Sequence, residues 1–240
     1  MTVATRPSSA GVLRRRLRAL ADPAHAKAAE WFFKTGPGEY GAGDKFLGIR
    51  VPKLRALVRE FGTLDHASVV ALLKSPWHEE RLLAVLLLVR QYERGTDADR
   101  KAIYALYLRS RQYINNWDIV DSSAPQIVGR HLDGKGRATL VRLAKARLLW
   151  SRRVAMLATL YTIRRNEFSD TIAIAALLLK DDHDLIHKAT GWMLREVGQR
   201  DLVTLTTFLD RHAATMPRTM LRYAIEKLPP ARRAHYRDAR

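Results

Sequence analysis

The feature that most constrains the fold of this chain is a set of short amphipathic helices that recurs at a nearly fixed interval. Apolar residues follow one another at spacings of three and four, the period of a helix buried along one face, in LRALVREFG (54–62), VVALLKSPW (69–77) and IYALYLRSRQYI (103–114). No window keeps the alternation of apolar and polar residues that is typical of a half-buried strand. The sequence therefore predicts an all-α protein.

Four of the helical segments align with one another. When the apolar faces of EERLLAVLLLV, NWDIVDSSA, SRRVAMLATLY and IHKATGWMLREV are matched, one position is shared by Arg81, Asp118, Arg153 and Lys188, at intervals of 37, 35 and 35 residues. A weaker fifth copy, PRTMLRYAIEKL, follows around Arg218. Repeats of this length are typical of HEAT and armadillo-like proteins, which stack into a solenoid. The alternative is a chance alignment of imperfect amphipathic helices.

The repeat hypothesis has consequences for the organisation of the chain. Inner helices of a solenoid line a concave face, and a polar residue that recurs at one phase is expected to point into it. We expect a single HEAT-like repeat domain with a concave basic groove over residues 11–228, a flexible tail at 1–10, and a basic, poorly ordered tail at 229–240. Because such a groove is complete within one chain, we expect a monomer.

The charge balance predicts a polyanionic partner. The chain has 42 Lys and Arg residues against 24 Asp and Glu residues, a formal net charge of +18. Cations placed against phosphates release condensed counterions, which favours binding to nucleic acid. The alternative is a basic, solvated surface that has no partner.

Several function classes are disfavoured by composition. The chain has no cysteine, which excludes disulfides, thiolate catalysis and cysteine-based metal centres. The first residues, MTVATRPSSAG, lack the apolar segment of a secretory signal, and the longest apolar run, LLAVLLLV (82–89), is too short to span a bilayer. We therefore expect a cytoplasmic protein without a membrane segment, associated with the nucleoid when it is bound to DNA.

Two short motifs have familiar spacings but the wrong context. Gly36, Gly38 and Gly41 match G-x-G-x-x-G, yet the dinucleotide motif needs a strand before it and a helix directly after it. The helical AEWFFK precedes it here, so a flexible loop is the better prediction, with backbone N–H groups that could lie near a phosphate. HDLIH places His183 and His187 at the spacing of a zinc-binding helix, but no third ligand is evident. The sequence predicts neither a metal site nor a cofactor.

The segment NNWDIVDSSAP (115–125) is the strongest candidate for a site. On a helix, Trp117 and Asp121 are neighbours at i and i+4, and Asp118 lies on an adjoining stripe. Pro125 has no N–H, so the helix is expected to kink or end just beyond Asp121. Acids beside a broken helix in a basic protein are typical of a functional site. The alternative is an ordinary first turn with Trp117 packed inward.

Basic residues accompany tryptophan further along the chain. LLWSRRVAML contains Arg152 and Arg153, and IHKATGWMLREVG places Lys188, Trp192 and Arg195 along one stripe of a helix. A stripe of two cations with a ring between them suits a nucleic-acid backbone. The alternative is a core tryptophan with basic neighbours that reach to solvent.

Taken in order from about residue 25 to 228, these segments resemble the bacterial DNA alkylation repair family, the AlkD-type DNA glycosylases. The resemblance is carried by FFKTGPGEYGAGDKFLGIRVPKLR, WHEERLLAVLLLV, NNWDIVDSSAP, LLWSRRVAMLATLYTI, HKATGWMLREVG and MPRTMLRYAIEKL. It implies HEAT-like repeats around a DNA-binding concavity. It also implies hydrolytic removal of cationic N3- and N7-alkylpurines from double-stranded DNA, without a deep pocket for the base.

The resemblance assigns roles to individual residues. It implies that Asp121 is the catalytic carboxylate, that Trp117 and Arg153 belong to the catalytic site, and that Trp192 contacts DNA. An early-helix aromatic of the family has no secure equivalent here, and the candidates are Trp31, Phe32 and Phe33.

The remaining predictions for the site follow from charge. We expect Asp121 to stabilise the sugar cation and to orient water, because a cationic base leaves without an acid to protonate it. We expect Arg153, Lys188, Arg195 and Arg152 to hold phosphates. Two alternatives remain: a non-catalytic HEAT-repeat nucleic-acid-binding scaffold, which would not need Asp121, and a protein–protein adaptor, which the basic charge disfavours. No lysine stands out as a Schiff-base nucleophile, so strand cleavage is not expected.

Overall fold

The computed structural model describes residues 9–238, and every regular element within them is a helix. The prediction of an all-α fold is confirmed, and the succession of helices agrees with a helical-repeat fold. By their internal packing the helices fall into two compact units, the first ending at Ser123 and the second beginning at Ala124. No helix among the described residues is both long enough and apolar enough to cross a bilayer.

The first unit consists of α1 (Ala10–Arg18), α2 (Pro23–Phe32), α3 (Val51–Glu60), α4 (His66–Leu73), α5 (His78–Arg94), α6 (Asp97–Arg109), a 3-10 turn (Arg111–Tyr113) and α7 (Trp117–Asp121). The long helix α5 forms its core and packs against α3, α4, α6 and α7. Its apolar residues are buried all round the helix, as expected for a helix enclosed by others.

The second unit consists of a π-helical turn (Pro125–Gly129), α8 (Arg130–Leu132), α9 (Ala138–Ala144), α10 (Leu149–Ala158), α11 (Leu160–Ile163), α12 (Ser169–Leu177), α13 (Asp184–Gly198), α14 (Leu202–His212), α15 (Arg218–Ala224) and α16 (Pro230–Asp238). Helix α13 is central and packs against α10, α14 and α15. Gly191 permits the close approach to α15, because a Cβ there would lie 2.3 Å from the carbonyl oxygen of Met220.

Tails were expected at both ends of the chain. The expected flexible tail at 1–10 lies mostly outside the described residues, and α1 begins at Ala10. At the other end, residues 230–238 form α16, where a poorly ordered tail was expected. Tyr236 is the reason: its ring is buried and its hydroxyl donates to Asp210 on α14 at 2.7 Å.

Candidate functional site

The candidate site is built around α7, a helix of only five residues. Asn116 caps it, with its side-chain oxygen accepting the N–H of Trp117 at 2.8 Å. Ile119 and Val120 are buried, so the helix presents its remaining face, which carries Trp117, Asp118 and Asp121. The helix ends at Asp121 and a π-helical turn starts at Pro125, which confirms the break predicted from the proline.

An aromatic cluster supports Trp117. Phe33 stacks on it, with ring centroids 5.3 Å apart and planes 25° from parallel, and Phe32 meets it edge-on at 5.8 Å. Phe33 also stacks on Phe46 at 5.2 Å. Of the three early-helix candidates, Phe32 and Phe33 therefore contact Trp117, whereas Trp31 is 83% exposed.

His78, the first residue of α5, lies buried behind this cluster. Its ring centroid is 4.7 Å from those of both Phe33 and Phe46. Its Nε2 donates to Asp118 Oδ2 at 2.8 Å, and its Nδ1 lies 3.6 Å from Asp44 Oδ2. Burial lowers the pKa of His78, but the charge and hydrogen bond of Asp118, with help from Asp44, outweigh it and raise the pKa to about 9. The ring is therefore an imidazolium at neutral pH.

Arg81 completes this buried charge network. One guanidinium nitrogen lies 2.6 Å from Asp44 Oδ1, and another donates to the carbonyl of Ser75 at 2.9 Å. Burial raises the pKa of Asp44, but the neighbouring His78 and Arg81 lower it overall. Arg81 is thus enclosed by partners, so the expectation that it points into an open groove is wrong.

The glycine-rich loop after α2 is anchored at its second half, where a flexible loop was predicted. Asp44 and Phe46 join it to the charge network and the aromatic cluster, and both side chains are buried. Glu79 fastens the next residues, because its carboxylate accepts the backbone N–H groups of Leu47, Gly48 and Ile49 at 2.9, 2.7 and 3.1 Å.

A small recess opens beside the aromatic cluster. Its volume is about 160 Å³, and Phe33, Phe46, His78 and Asp118 contribute to its wall. Ligand pockets are commonly about 300–1,000 Å³, whereas an apolar cavity of about 150 Å³ holds a single benzene ring. The recess can therefore accept a small ring or an alkyl group but cannot enclose a nucleotide.

The two acids of α7 have different surroundings. Asp118 is engaged by His78, and its other oxygen accepts the N–H of Ile119 at 2.9 Å. Asp121 is half-buried on the same stripe as Trp117. Its charge also reaches Tyr107, whose pKa is raised by burial and further by Asp121, although the hydrogen bond with Ser123 lowers it.

The second unit contains the predicted basic stripe. Lys188, Trp192 and Arg195 lie along α13 and all three are half-buried. Each has an acidic partner: Lys188 pairs with Asp184 at 2.7 Å, Trp192 Nε1 donates to Glu196 at 3.2 Å, and Arg195 pairs with Glu226. The predicted geometry of the stripe is confirmed, and its role toward DNA stays a prediction.

Arg152 and Arg153 are held by the protein more firmly than the sequence suggested. Arg152 pairs with Asp181 at 2.6 Å and donates to two backbone carbonyls. Arg153 is 4% exposed, and its guanidinium donates to the carbonyl of Leu185 at 2.7 Å. Arg153 therefore ties α10 to the first turn of α13, whereas Arg152 ties it to the segments that precede α10 and α13. Their predicted contacts with phosphates stay predictions.

The two histidines of HDLIH have local structural roles. His183 is the N-cap of α13, and its Nδ1 accepts the N–H of Leu185 at 3.1 Å. His187 contacts the carbonyl of Asp181 through Nε2. Among the residues that the structure describes, no cluster of three or more histidine or acidic side chains is arranged to hold a metal ion.

Comparison with known proteins identifies the family of the chain. A family model described as DNA alkylation repair enzyme matches residues 13–228. The chain belongs to that family. The family acts on DNA, and membership gives this chain a role in the repair of alkylated DNA.

A solved structure agrees with this assignment at the level of the fold. It is described as a predicted DNA alkylation repair enzyme from Enterococcus faecalis, and it shares 17% sequence identity with the chain. The match has a TM-score of 0.67 and covers 88% of this chain and 97% of the other. Among curated proteins, no match was found.

Proposed function

We propose that this protein is a monofunctional DNA glycosylase that hydrolyses the N-glycosidic bond of cationic N3- and N7-alkylpurines in duplex DNA. The observation that carries the proposal is the placement of Asp121 on α7. Asp121 lies half-buried on the same stripe of the helix as Trp117, whose ring is supported by Phe33. This placement supports a joint action of the acid and the ring on one lesion.

A single carboxylate is enough for this reaction. Alkylation at N3 or N7 gives the purine a positive charge, so the C1′–N bond breaks with its electron pair going to the departing neutral base. The sugar left behind has oxocarbenium character, and carboxylates stabilise such transition states in glycoside hydrolysis. Asp121 would stabilise this cation and orient a water molecule, whose oxygen bonds to C1′ while one proton passes to Asp121 and then to solvent.

The aromatic cluster gives the lesion a surface on which to pack. Trp117, supported by Phe33, would lie against the alkylated nucleotide, and a cation over an aromatic face is worth about 0.5–2 kcal/mol. The adjoining recess of about 160 Å³ has space for an alkyl group but not for an extruded nucleotide. This supports recognition at the surface of the duplex.

The basic residues of the second unit would serve binding. Lys188 and Arg195 are partly exposed cations on α13 with Trp192 between them along the helix. Their acidic partners hold them in place, and a phosphate could replace those partners when DNA binds. This assigns to α13 the backbone contacts that position a duplex without reading its sequence.

The direct test is product analysis on a duplex that contains one 7-methylguanine. We expect the protein to release free 7-methylguanine and to leave an abasic site in an unbroken strand, with cleavage appearing only after alkaline treatment. Release of a nucleotide, direct strand cleavage by pure protein, or tight binding without any product would contradict the proposal. The last outcome would favour a non-catalytic DNA-binding scaffold.

A further inference from the structure

The first turn of α5 buries four consecutive ionisable residues, and none of them takes a direct part in the chemistry proposed above. These residues are His78, Glu79, Glu80 and Arg81. Charged side chains are almost never fully buried unless they are paired. An apolar replacement for a buried ion pair is often neutral or even stabilising. The burial of a charged histidine against Asp118 is therefore not explained by stability alone.

We propose that His78 is a positioning residue for α7: its ring, packed against both Phe33 and Phe46, fixes Asp118 and thereby the orientation of Trp117 and Asp121. The contacts are short: the centroid of the His78 ring lies 4.7 Å from those of both Phe33 and Phe46, and its Nε2 lies 2.8 Å from the Asp118 carboxylate.

Helix α7 needs such an anchor because it is short. A helix of five residues is far below the length at which a helix is stable alone. Buried Ile119 and Val120 hold one side of it. On the other side, Asp118 bridges the His78 ring and the N–H of Ile119, so that the imidazolium and the first turn share one carboxylate. A tether at this point sets the rotation of the helix and hence the direction of Trp117 and Asp121.

The charges around His78 are balanced. Asp44, Asp118 and Arg81 face the ring, so that two acids meet two cations. His25, Arg50 and Glu79 line the recess next to it, and Glu79 is occupied by three backbone N–H groups. The imidazolium thus offsets the negative charge of Asp118.

Three variants test the inference. His78→Phe keeps a ring packed against Phe33 and Phe46 but removes both nitrogens. The double variant His78→Phe, Asp118→Asn also removes the carboxylate charge that would otherwise lose its partner. His66→Phe makes the same change at an exposed position of α4 and serves as the control. The readouts are hydrogen exchange of the α7 amides, thermal unfolding, and the single-turnover rate of base release at matched DNA occupancy.

We expect His78→Phe to speed amide exchange in residues 117–123 at least 10-fold and to slow base release at least 10-fold, with DNA affinity within about 3-fold of wild type. The double variant should regain thermal stability without regaining the slow exchange or the rate. Wild-type exchange in His78→Phe, or recovery of both stability and rate in the double variant, would refute a positioning role.

Two outcomes need a separate readout: a wild-type protein that has no activity, and variants that do not fold. The rate measurement rests on the proposed glycosylase function, whereas the measurement of amide exchange does not. A wild-type protein that releases no base would therefore refute that function, and the positioning role of His78 would then be tested by amide exchange alone. If both variants unfold, ¹⁵N NMR of the histidine rings in wild-type protein decides. The pairing with Asp118 predicts that His78 titrates near pH 9, and titration at or below pH 6.5 would overturn the inference.

Discussion

Phe33 stacks on Trp117 across the candidate site, with ring centroids 5.3 Å apart and planes 25° from parallel. The contact joins the end of α2 to the start of α7, two segments that are more than 80 residues apart in the sequence. Phe33 also lies against Phe46 and His78. One half-buried side chain therefore links the support of Trp117 to the buried charge network.

The first prediction concerns this link. Phe33→Leu should lower the free energy of unfolding by about 2 kcal/mol, because aromatic pairs contribute about 0.5–1.5 kcal/mol each beyond the area they bury. It should also slow base release about 10-fold at saturating protein, since Trp117 loses its support. Phe208→Leu, at a buried phenylalanine of the second unit, is the control. An equal loss of rate per folded molecule in both variants would show that the effect is not specific to the site.

The second prediction concerns the exposed aromatic of α2. Trp31 is 83% exposed, so Trp31→Ala should change the free energy of unfolding by less than about 0.5 kcal/mol. If its ring stacks on a nucleobase, affinity for DNA should fall about 5- to 150-fold, since such stacking is worth about 1–3 kcal/mol. Val203→Ala, at a 72% exposed residue of the second unit, should leave affinity unchanged. Equal affinities of both variants and wild type in an anisotropy titration would exclude Trp31 from the interface.

The third prediction is a dependence of stability on pH. The pKa of His78 is about 9 in the folded protein and 6.5 in the unfolded chain. Its contribution is therefore complete below pH 6.5 and is lost as pH rises through 9, and it amounts to about 3 kcal/mol. Urea unfolding at pH 6, 8 and 9.5 should show this decline in wild type, and the His78→Phe, Asp118→Asn variant should lack it. Identical pH profiles would count against the raised pKa.

The fourth prediction separates two basic residues that the sequence treated alike. Arg152→Met should lower the free energy of unfolding by about 2 kcal/mol, because it removes the cation that pairs with Asp181 and the hydrogen-bond donor of two backbone carbonyls. Lys188→Met should leave stability within about 0.5 kcal/mol, since its pair with Asp184 is exposed. It should instead weaken DNA binding and reduce the salt dependence by about one counterion. A normal salt dependence in Lys188→Met would remove Lys188 from the interface.

The helices and the break in α7 could be predicted because their causes are local. Apolar residues at spacings of three and four specify helices, and Pro125 ends the regular α-helix near Asp121 wherever the segment lies in the fold. The stripe of Lys188, Trp192 and Arg195 follows in the same way from helical geometry.

The extent to which each side chain is buried could not be predicted, because burial depends on tertiary packing. The repeat alignment gave Arg81 and Arg153 the same phase as Lys188, yet the first two are buried and the last is half-exposed. Periodicity predicts which residues share one face of a helix, but it does not predict which other segments pack over that face. The pairing of His78 with Asp118 likewise joins residues 40 positions apart. The available signal was HEER itself, four ionisable residues that lead directly into an apolar helix.

The most direct measurement of the central claim is single-turnover release of 7-methylguanine by wild type, Asp121→Asn and Asp97→Asn. Asp97 is an acid with a 97% exposed side chain on α6, so its variant controls for the loss of one charge. With protein saturating over DNA, we predict that Asp121→Asn binds the duplex but releases the base at least 100-fold more slowly, while Asp97→Asn matches wild type. Release by Asp121→Asn at the wild-type rate would contradict the account, because the acid that shares a stripe of α7 with Trp117 would then have no part in the reaction.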